Sequence, residues 1–286
     1  MAKNLPLAGK TAIITGGAGG IGGASALRLV QDGAAVMLMG RTLDKLKEFK
    51  AKLSKDVKGA KVGVFAGDGC KEADVQAALK AAYDMQGRLD IMLTTVGGGG
   101  SFLPIVKHTP DSFRACIESN FMSAFMAVRY AAPLMDHGGS IICVSSTAAK
   151  MNFAYLGDYC TAKAALEAFI KSAAEELGSA NIRVNAVRPG LTHVARNEAL
   201  FSNKPVFDKF VEQTPLDRGA SKGRLGTPED IAGAVRYLAG PDAEWVTGQS
   251  FAIDGGHELR RNPDLTELVV AKFGKKGLKQ IRAAKG

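Results

Sequence analysis

Short runs of aliphatic and β-branched residues recur along the chain, separated by stretches in which apolar residues return every three or four positions. The short runs fall at 10–15, 34–39, 61–66, 89–95, 139–145, 182–187 and 249–253. Several, such as Ala35-Val36-Met37-Leu38-Met39 and Ile141-Ile142-Cys143-Val144, are apolar without alternation, the pattern of parallel strands covered on both faces. Helical periodicity fills 21–32, 42–54, 71–86, 110–135, 158–178 and 228–239. Repeated strand–helix alternation predicts a doubly wound α/β fold, a seven-stranded parallel sheet between two helical layers, in one domain over 1–256.

Two stretches break the rhythm. Residues 191–225 have mixed polarity and carry Phe201, Phe207 and Phe210; a connection of that length in an α/β domain reads as a substrate lid or as an ordinary helical insertion. Beyond Gly256 lies a tail over 257–286, in which Asn262 and Pro263 read as the N-cap and first position of a helix. Leu265, Leu268, Val269 and Phe273 then share one face until Gly274 ends it, so the stripe must cover the body or a partner.

Composition narrows the class. Hydrophobic residues make up 46% and charged residues 23% of 286, enough for a large core without a disulfide or metal staple. Cys70, Cys116, Cys143 and Cys160 are unpaired in spacing and read as reduced thiols of a cytoplasmic protein; the histidines suggest no metal site. A strand pattern starting at Lys10 leaves no room for a signal peptide, and no apolar run approaches the ~18 residues of a membrane span. The net charge is +9, but residues 257–286 alone carry eight Lys/Arg against three Asp/Glu. The body lacks a basic-aromatic stripe, so nucleic acid is not the expected partner; an acidic substrate or a neighbouring subunit suits the tail better.

The first strand runs into Thr15-Gly16-Gly17-Ala18-Gly19-Gly20-Ile21-Gly22 and then a helix. Glycines at a strand-to-helix turn let the backbone approach a pyrophosphate, and the helix N-terminus offers free N–H groups to it. In a βαβ context this predicts a dinucleotide site at Gly16, Gly17, Gly20, Ile21 and Gly22. At the end of the second strand, where a carboxylate would bind the ribose diol of NAD, the chain has Gly40-Arg41-Thr42. Arg41, beside Thr42, can pair with a 2′-phosphate or simply open the next helix as a solvated side chain. NADP(H) is expected ahead of NAD(H).

The glycine turn, Asn120, Ser146, Tyr159-x-x-x-Lys163, Asn185-x-x-x-Pro189-Gly190 and Asp254-Gly255-Gly256 occur in the order and spacing of the short-chain dehydrogenase/reductase family, which the chain resembles over residues 7–256. The resemblance implies a Rossmann-like fold, a nicotinamide cofactor, and Asn120, Ser146, Tyr159 and Lys163 as catalytic residues. Four residues apart in a helical pattern, Tyr159 and Lys163 share a face. Lowering a tyrosine pKa from near 10 by ~3 units takes ~4 kcal/mol of preference for phenolate, and a nearby ammonium is the right perturber. The resemblance gives Lys163 a second contact, to the nicotinamide ribose. Ser146 ends the fifth strand, where such sheets bind ligands, and can donate to a carbonyl oxygen as charge builds; family spacing selects it over Ser145. Asn120 lies on a largely apolar helical face and so is expected buried with partners; in the family its counterpart holds a water linked to the lysine.

Cofactor contacts at Asp68, Gly97, Pro189 and Gly190 follow from the resemblance, Asp68 being equally readable as a turn-starting residue. Two departures stand out. The family's Asn-Asn-Ala-Gly is here Thr94-Thr95-Val96-Gly97, without the stabilising amides, and its threonine four residues beyond Gly190 is here Val194, for which Thr192 is the expected substitute. Phe102, Leu103, Met151, Phe153, Tyr155 and Leu191 suggest an apolar carbonyl or alcohol substrate: a ketone, a steroid-like ring system or a 3-oxoacyl chain, with acyl-CoA suiting the basic tail. A 2,4-dienoyl-CoA reductase and a non-catalytic NADPH-binding sensor are the competing readings; retention of Ser146 and Tyr159 together counts against the first, and retention of Ser146, Tyr159 and Lys163 against the second. Small residues such as Ala162, Ala165 and Ala173 permit close helix packing, and the family implies a homo-oligomer, a dimer or tetramer.

Overall fold

The computed structural model describes residues 5–216, 224–264 and 266–282, with side chains as far as Gly274. β1 (Thr11–Thr15), β2 (Ala35–Gly40), β3 (Val62–Ala66), β4 (Ile91–Thr94), β5 (Gly139–Val144), β6 (Ile182–Pro189) and β7 (Ser250–Ile253) form one parallel sheet ordered β3-β2-β1-β4-β5-β6-β7. The helices are α1 (Gly20–Gln31), α2 (Leu43–Asp56), α3 (Glu72–Tyr83), α4 (Pro110–Ile117), α5 (Ser123–Ala131), α6 (Gly157–Leu177), α7 (Glu198–Ser202), α8 (Lys204–Glu212), α9 (Pro228–Ala239) and α10 (Thr266–Arg282).

Successive strand residues point to opposite faces, so the apolar runs feed two cores at once. Ile14, Leu38 and Leu93 pack with Leu29 of α1 and Val235 of α9, while Ile13, Met92 and Ile141 pack with Leu79, Val128 and Leu166 across the sheet. Each such side chain, fully withdrawn from water, contributes about 1.5–3 kcal/mol. Strand order reverses between β2–β1 and β4–β5, where Thr15 pairs with Met39 on one side and Thr94 on the other. In doubly wound sheets the crevice beyond the carboxyl ends at this reversal is the ligand site.

Three expectations change. The single helix expected over 110–135 is interrupted by a π-helical turn, Glu118–Met122. Asn120 Nδ2 and Ser119 Oγ both donate to the Cys116 carbonyl (3.1 and 3.2 Å), and Ser123 Oγ donates to the Ser119 carbonyl (2.8 Å), so side chains compete with the backbone ladder there. The tail helix begins at Thr266, not Pro263. Asn262 is no cap: its amide donates to the carbonyls of Met151 (3.2 Å) and Asn152 (3.1 Å), while Asp264 accepts from the Thr266 N–H at 2.8 Å. Gly274 (φ 70, ψ 166) breaks the helical dihedrals as expected, but a further helical stretch follows it.

The tail is fastened to the body. Arg188 of β6, almost fully buried, pairs with Glu258 through two bonds of 2.8 and 3.0 Å. Val269 is buried, and Leu268 joins Val206, Phe210 and Phe207 in a third apolar cluster under the segment after β6. Leu265 lies outside the described residues, as do residues 217–223.

Candidate active site

A cleft of about 550 Å³ opens at the strand reversal, lined at one end by Gly16, Gly20, Ile21 and Gly22. Gly16 sits at φ +71, and a Cβ there would collide with the Thr95 hydroxyl; a Cβ on Gly22 would strike the Gly16 carbonyl. Positions 16 and 22 therefore admit only glycine. Gly17 does not line the cleft but packs on β2, where a Cβ would lie 3.0 Å from a Leu38 methyl. The N-terminus of α1 has no side-chain cap and no acidic residue in its first turn. Its positive end and free N–H groups are left for an anion, as a dinucleotide's phosphates require.

At the far end of the cleft stand Arg41, Thr42, Lys45, Asp68 and Cys70. Lys45, one helical turn beyond Arg41, doubles the positive charge. Asp68 both lines the cleft and shapes its turn, accepting from the Cys70 N–H at 3.0 Å. Burial, with Asp68 beside it, pushes the Cys70 thiol above its ordinary range.

The catalytic candidates gather behind Val144, Gly97 and Arg196 of the cleft, and Asn120, Ser146, Tyr159 and Lys163 are not themselves in its lining. Ser146 follows β5 and accepts from the Ala148 N–H at 3.2 Å; its hydroxyl is near enough to the Tyr159 phenol to favour the phenolate. Neighbouring Ser145 is buried. Tyr159 and Lys163 stack on one face of α6, Lys163 Nζ lying 5.7 Å from the Tyr159 ring centre. Lys163 is buried and donates to the carbonyl of Val144, a residue of the cleft floor, at 2.9 Å. Burial lowers its pKa to about 8. The expectation of a lowered phenol is not met in this state: burial raises the Tyr159 pKa, outweighing the Ser146 hydrogen bond and the charge of Arg196.

Asn120 is buried as expected, and its partners are protein groups: Oδ1 accepts from the Gly98 N–H at 2.9 Å. That bond and three more fasten the stretch that lacks the family's Asn amides. Thr95 donates from its hydroxyl to the Thr15 carbonyl at 2.6 Å, and Ser101 donates to Asp158 from both N–H (3.0 Å) and hydroxyl (2.9 Å). Asp158 is fully buried beside Tyr159. Burial works to raise its carboxyl, but the donors of Ser101 and Tyr159 prevail and hold it below the ordinary range.

Pro189, Gly190 and Thr192 do not reach the cleft lining. Pro189 ends β6, a Cβ on Gly190 would meet Asp254 at 2.9 Å, and the buried Thr192 hydroxyl turns back to donate to the Gly190 carbonyl at 3.0 Å. Val194, Ala195 and Arg196 line the cleft instead. On the substrate side, Phe102 (φ 50) and Tyr155 (φ 70) both hold left-handed backbones and meet edge to face at 6.1 Å between ring centres. Such a backbone in a non-glycine residue costs about 1–3 kcal/mol and clusters at functional sites.

Lys45, Thr95, Asp158 and Arg196 were not picked out from the sequence. Only Thr95, within the altered Asn-Asn-Ala-Gly stretch, carried a signal there. No group of acidic, histidine or cysteine side chains among the described residues could hold a metal, and no helix among them is long and apolar enough to cross a membrane.

The sequence model described as enoyl-(acyl carrier protein) reductase matches residues 16–258. The chain is 32% identical over 260 residues to dehydrogenase/reductase SDR family member 4 of Oryctolagus cuniculus, covering 89% of this chain and 96% of that one. The fold of a short-chain type dehydrogenase/reductase from Mycobacterium ulcerans superposes with a TM-score of 0.90 at 31% identity, over 96% of this chain and 99% of that one. A 7 alpha-hydroxysteroid dehydrogenase complexed with NADH and 7-oxo glycochenodeoxycholic acid superposes with a TM-score of 0.83 at 30% identity, over 93% and 99%. With the glycine-rich turn, the strand order and the Ser146–Tyr159–Lys163 group already in place, these likenesses identify the chain as an oxidoreductase of the short-chain dehydrogenase/reductase family.

Proposed function

We propose that this oxidoreductase is NADP(H)-dependent and interconverts a carbonyl and a secondary alcohol on an apolar substrate. The observation that carries the reading is the group of Ser146, Tyr159 and Lys163 just behind a cleft whose walls suit a dinucleotide, joined to its lining by the Lys163 bond to the Val144 carbonyl. A nicotinamide bound there supplies or accepts the hydride. In the reductive direction Tyr159 gives its proton to the carbonyl oxygen, and burial keeps the phenol protonated at neutral pH, as a donor must be. Ser146 donates to the same oxygen while negative charge builds on it. The ammonium of Lys163 then stabilises the phenolate, and Asn120 anchors the path by which the proton is replaced.

Arg41 and Lys45, with no carboxylate at the end of β2, support NADP(H) over NAD(H). Phe102, Phe153, Tyr155 and Leu191, with the 191–225 segment as lid, favour a ketone, a steroid-like ring or a 3-oxoacyl chain, including an acyl-CoA. The enzyme belongs in this reading to the cytoplasm and works as a homo-oligomer, a dimer or tetramer.

Initial rates with NADPH and NADH across aliphatic, aromatic and acyl ketones test the proposal. Activity is expected with NADPH at lower KM, and Tyr159→Phe is expected to lower kcat by about 10²–10⁴. A lower KM for NADH would overturn the cofactor assignment; an unimpaired Tyr159→Phe would overturn the chemistry.

A further inference from the structure

The segment after β6 turns a cation into the cofactor cleft. Arg196 lies in a 3₁₀ turn, Ala195–Asn197, and its guanidinium donates across the cleft to the Gly97 carbonyl at 2.6 Å. It presses on Gly98, where a Cβ would collide with Nη1. Two residues earlier, Val194 meets the phosphate turn from above, since a Cβ on Gly20 would lie 2.7 Å from its methyl. The same short segment thus faces the α1 N-terminus at one point and the catalytic end at the other, where the charge of Arg196 is felt by both Tyr159 and Lys163.

Among the described residues no carboxylate pairs with Arg196. The cleft's remaining cations, Arg41 and Lys45, stand at its far end. Between the two ends, the α1 N-terminus offers N–H groups from below, and nothing from the β6 side offers a hydroxyl: Val194 is apolar, and Thr192 is turned inward to its own backbone. The guanidinium, held at Gly97, and the α1 N–H groups, faced by Val194 of the same short segment, open on one cleft and offer donors from two sides to a doubly charged group.

We propose that Arg196 is a cofactor-binding residue that clamps the bridging diphosphate of the dinucleotide from the side opposite the glycine turn, where Val194 offers no donor. This rests on the dinucleotide reading above. Its present bond to the Gly97 carbonyl holds the guanidinium in place, and charge-assisted bonds to phosphate oxygens replace that neutral one on binding.

Calorimetric titration of the full chain and of Arg196→Met with NADPH, ADP-ribose and adenosine 2′,5′-bisphosphate tests this without turnover. ADP-ribose carries the bridging diphosphate; the bisphosphate has only the adenosine-side phosphates. Arg196→Met is expected to weaken NADPH and ADP-ribose by about tenfold or more, to leave the bisphosphate within about twofold, and to flatten the salt dependence of ADP-ribose binding. Arg196→Lys should recover part of the loss. An unchanged ADP-ribose Kd in both Arg196→Met and Arg196→Gln, each with an unshifted melting temperature, would overturn the clamp. So would unchanged dinucleotide binding with a raised KM confined to anionic ketones, which would move the contact to the substrate. Binding of none of the three probes by the unaltered protein would bring down the dinucleotide reading as well.

Discussion

A single buried ammonium ties the proposed chemistry to measurable stability. Lys163 has about 8 as its folded pKa against 10.5 for a free lysine. Between those values the unfolded chain binds more protons than the folded one, so stability rises with pH across this window. Below pH 8 the cost of burying the charge is fully present. In the cofactor-free protein Lys163→Met is therefore expected to raise the melting temperature at pH 7 by about 2–4 °C, the gain shrinking as pH approaches 10. Melting curves from pH 7 to 10 check this, and a Met variant less stable than the parent at pH 7 would refute it. Sequence alone placed this lysine beside Tyr159, because four-residue spacing fixes a helical face. It could not foresee the phenol being raised, since that depends on how much protein the fold stacks over the ring. Arg196 was illegible for a related reason: an arginine in a polar segment reads as surface until the chain is folded over the cleft.

At the scale of elements, periodicity located every strand, and β4 alone came out clearly shorter than its apolar run. Asp90, just before it, still bonds both sides through its backbone, N–H to the Thr11 carbonyl (2.9 Å) and carbonyl from the Ser140 N–H (2.8 Å), while its carboxylate is held by the Thr11 N–H, Lys10 and Arg88. Where side chains compete with the backbone, pattern reading gave way, as at the π-helical turn and at Asn262. The glycine-rich 97–100 loop was legible as a departure from the family, but its replacement fastening was not, because Ser101 and Asp158 are brought together only by the fold. Asp158→Asn removes the charge from that fastening and is expected to cost about 1.5–3 kcal/mol in urea unfolding at pH 7. The depressed carboxyl stabilises the fold above its ordinary 3.8, and that support is lost as pH falls through the lower folded value. The variant's deficit should accordingly narrow in strong acid. Faster hydrogen exchange at the Ser101 amide would locate the effect; an unaltered stability at pH 7 would contradict it.

The whole molecule adds the question of assembly. Phe121, Phe125 and Phe169, each only half-buried, form a continuous aromatic group across the π-helical turn, α5 and α6, the Phe169 ring centre lying 5.9 and 5.6 Å from the other two. Small residues beside it allow a second copy to approach. The proposed homo-oligomer buries this patch, so light scattering at micromolar concentration should give a dimer or tetramer, and Phe169→Lys should shift it towards monomer. A monomeric parent protein would count decisively against the assembly.

The π-helical turn carries a consequence for how this lineage can vary in length. Five residues there span what a tight helix would wind with about one fewer. Were a single residue shed between Glu118 and Met122, everything upstream would rotate by about 100° against α5. Cys116 would leave the interior, and the amide that holds the glycine loop would swing off it. Apart from Asn120, this turn therefore tolerates exchange of side chains but not loss of a link, and descendants of the chain should vary in spelling around that residue while keeping the count.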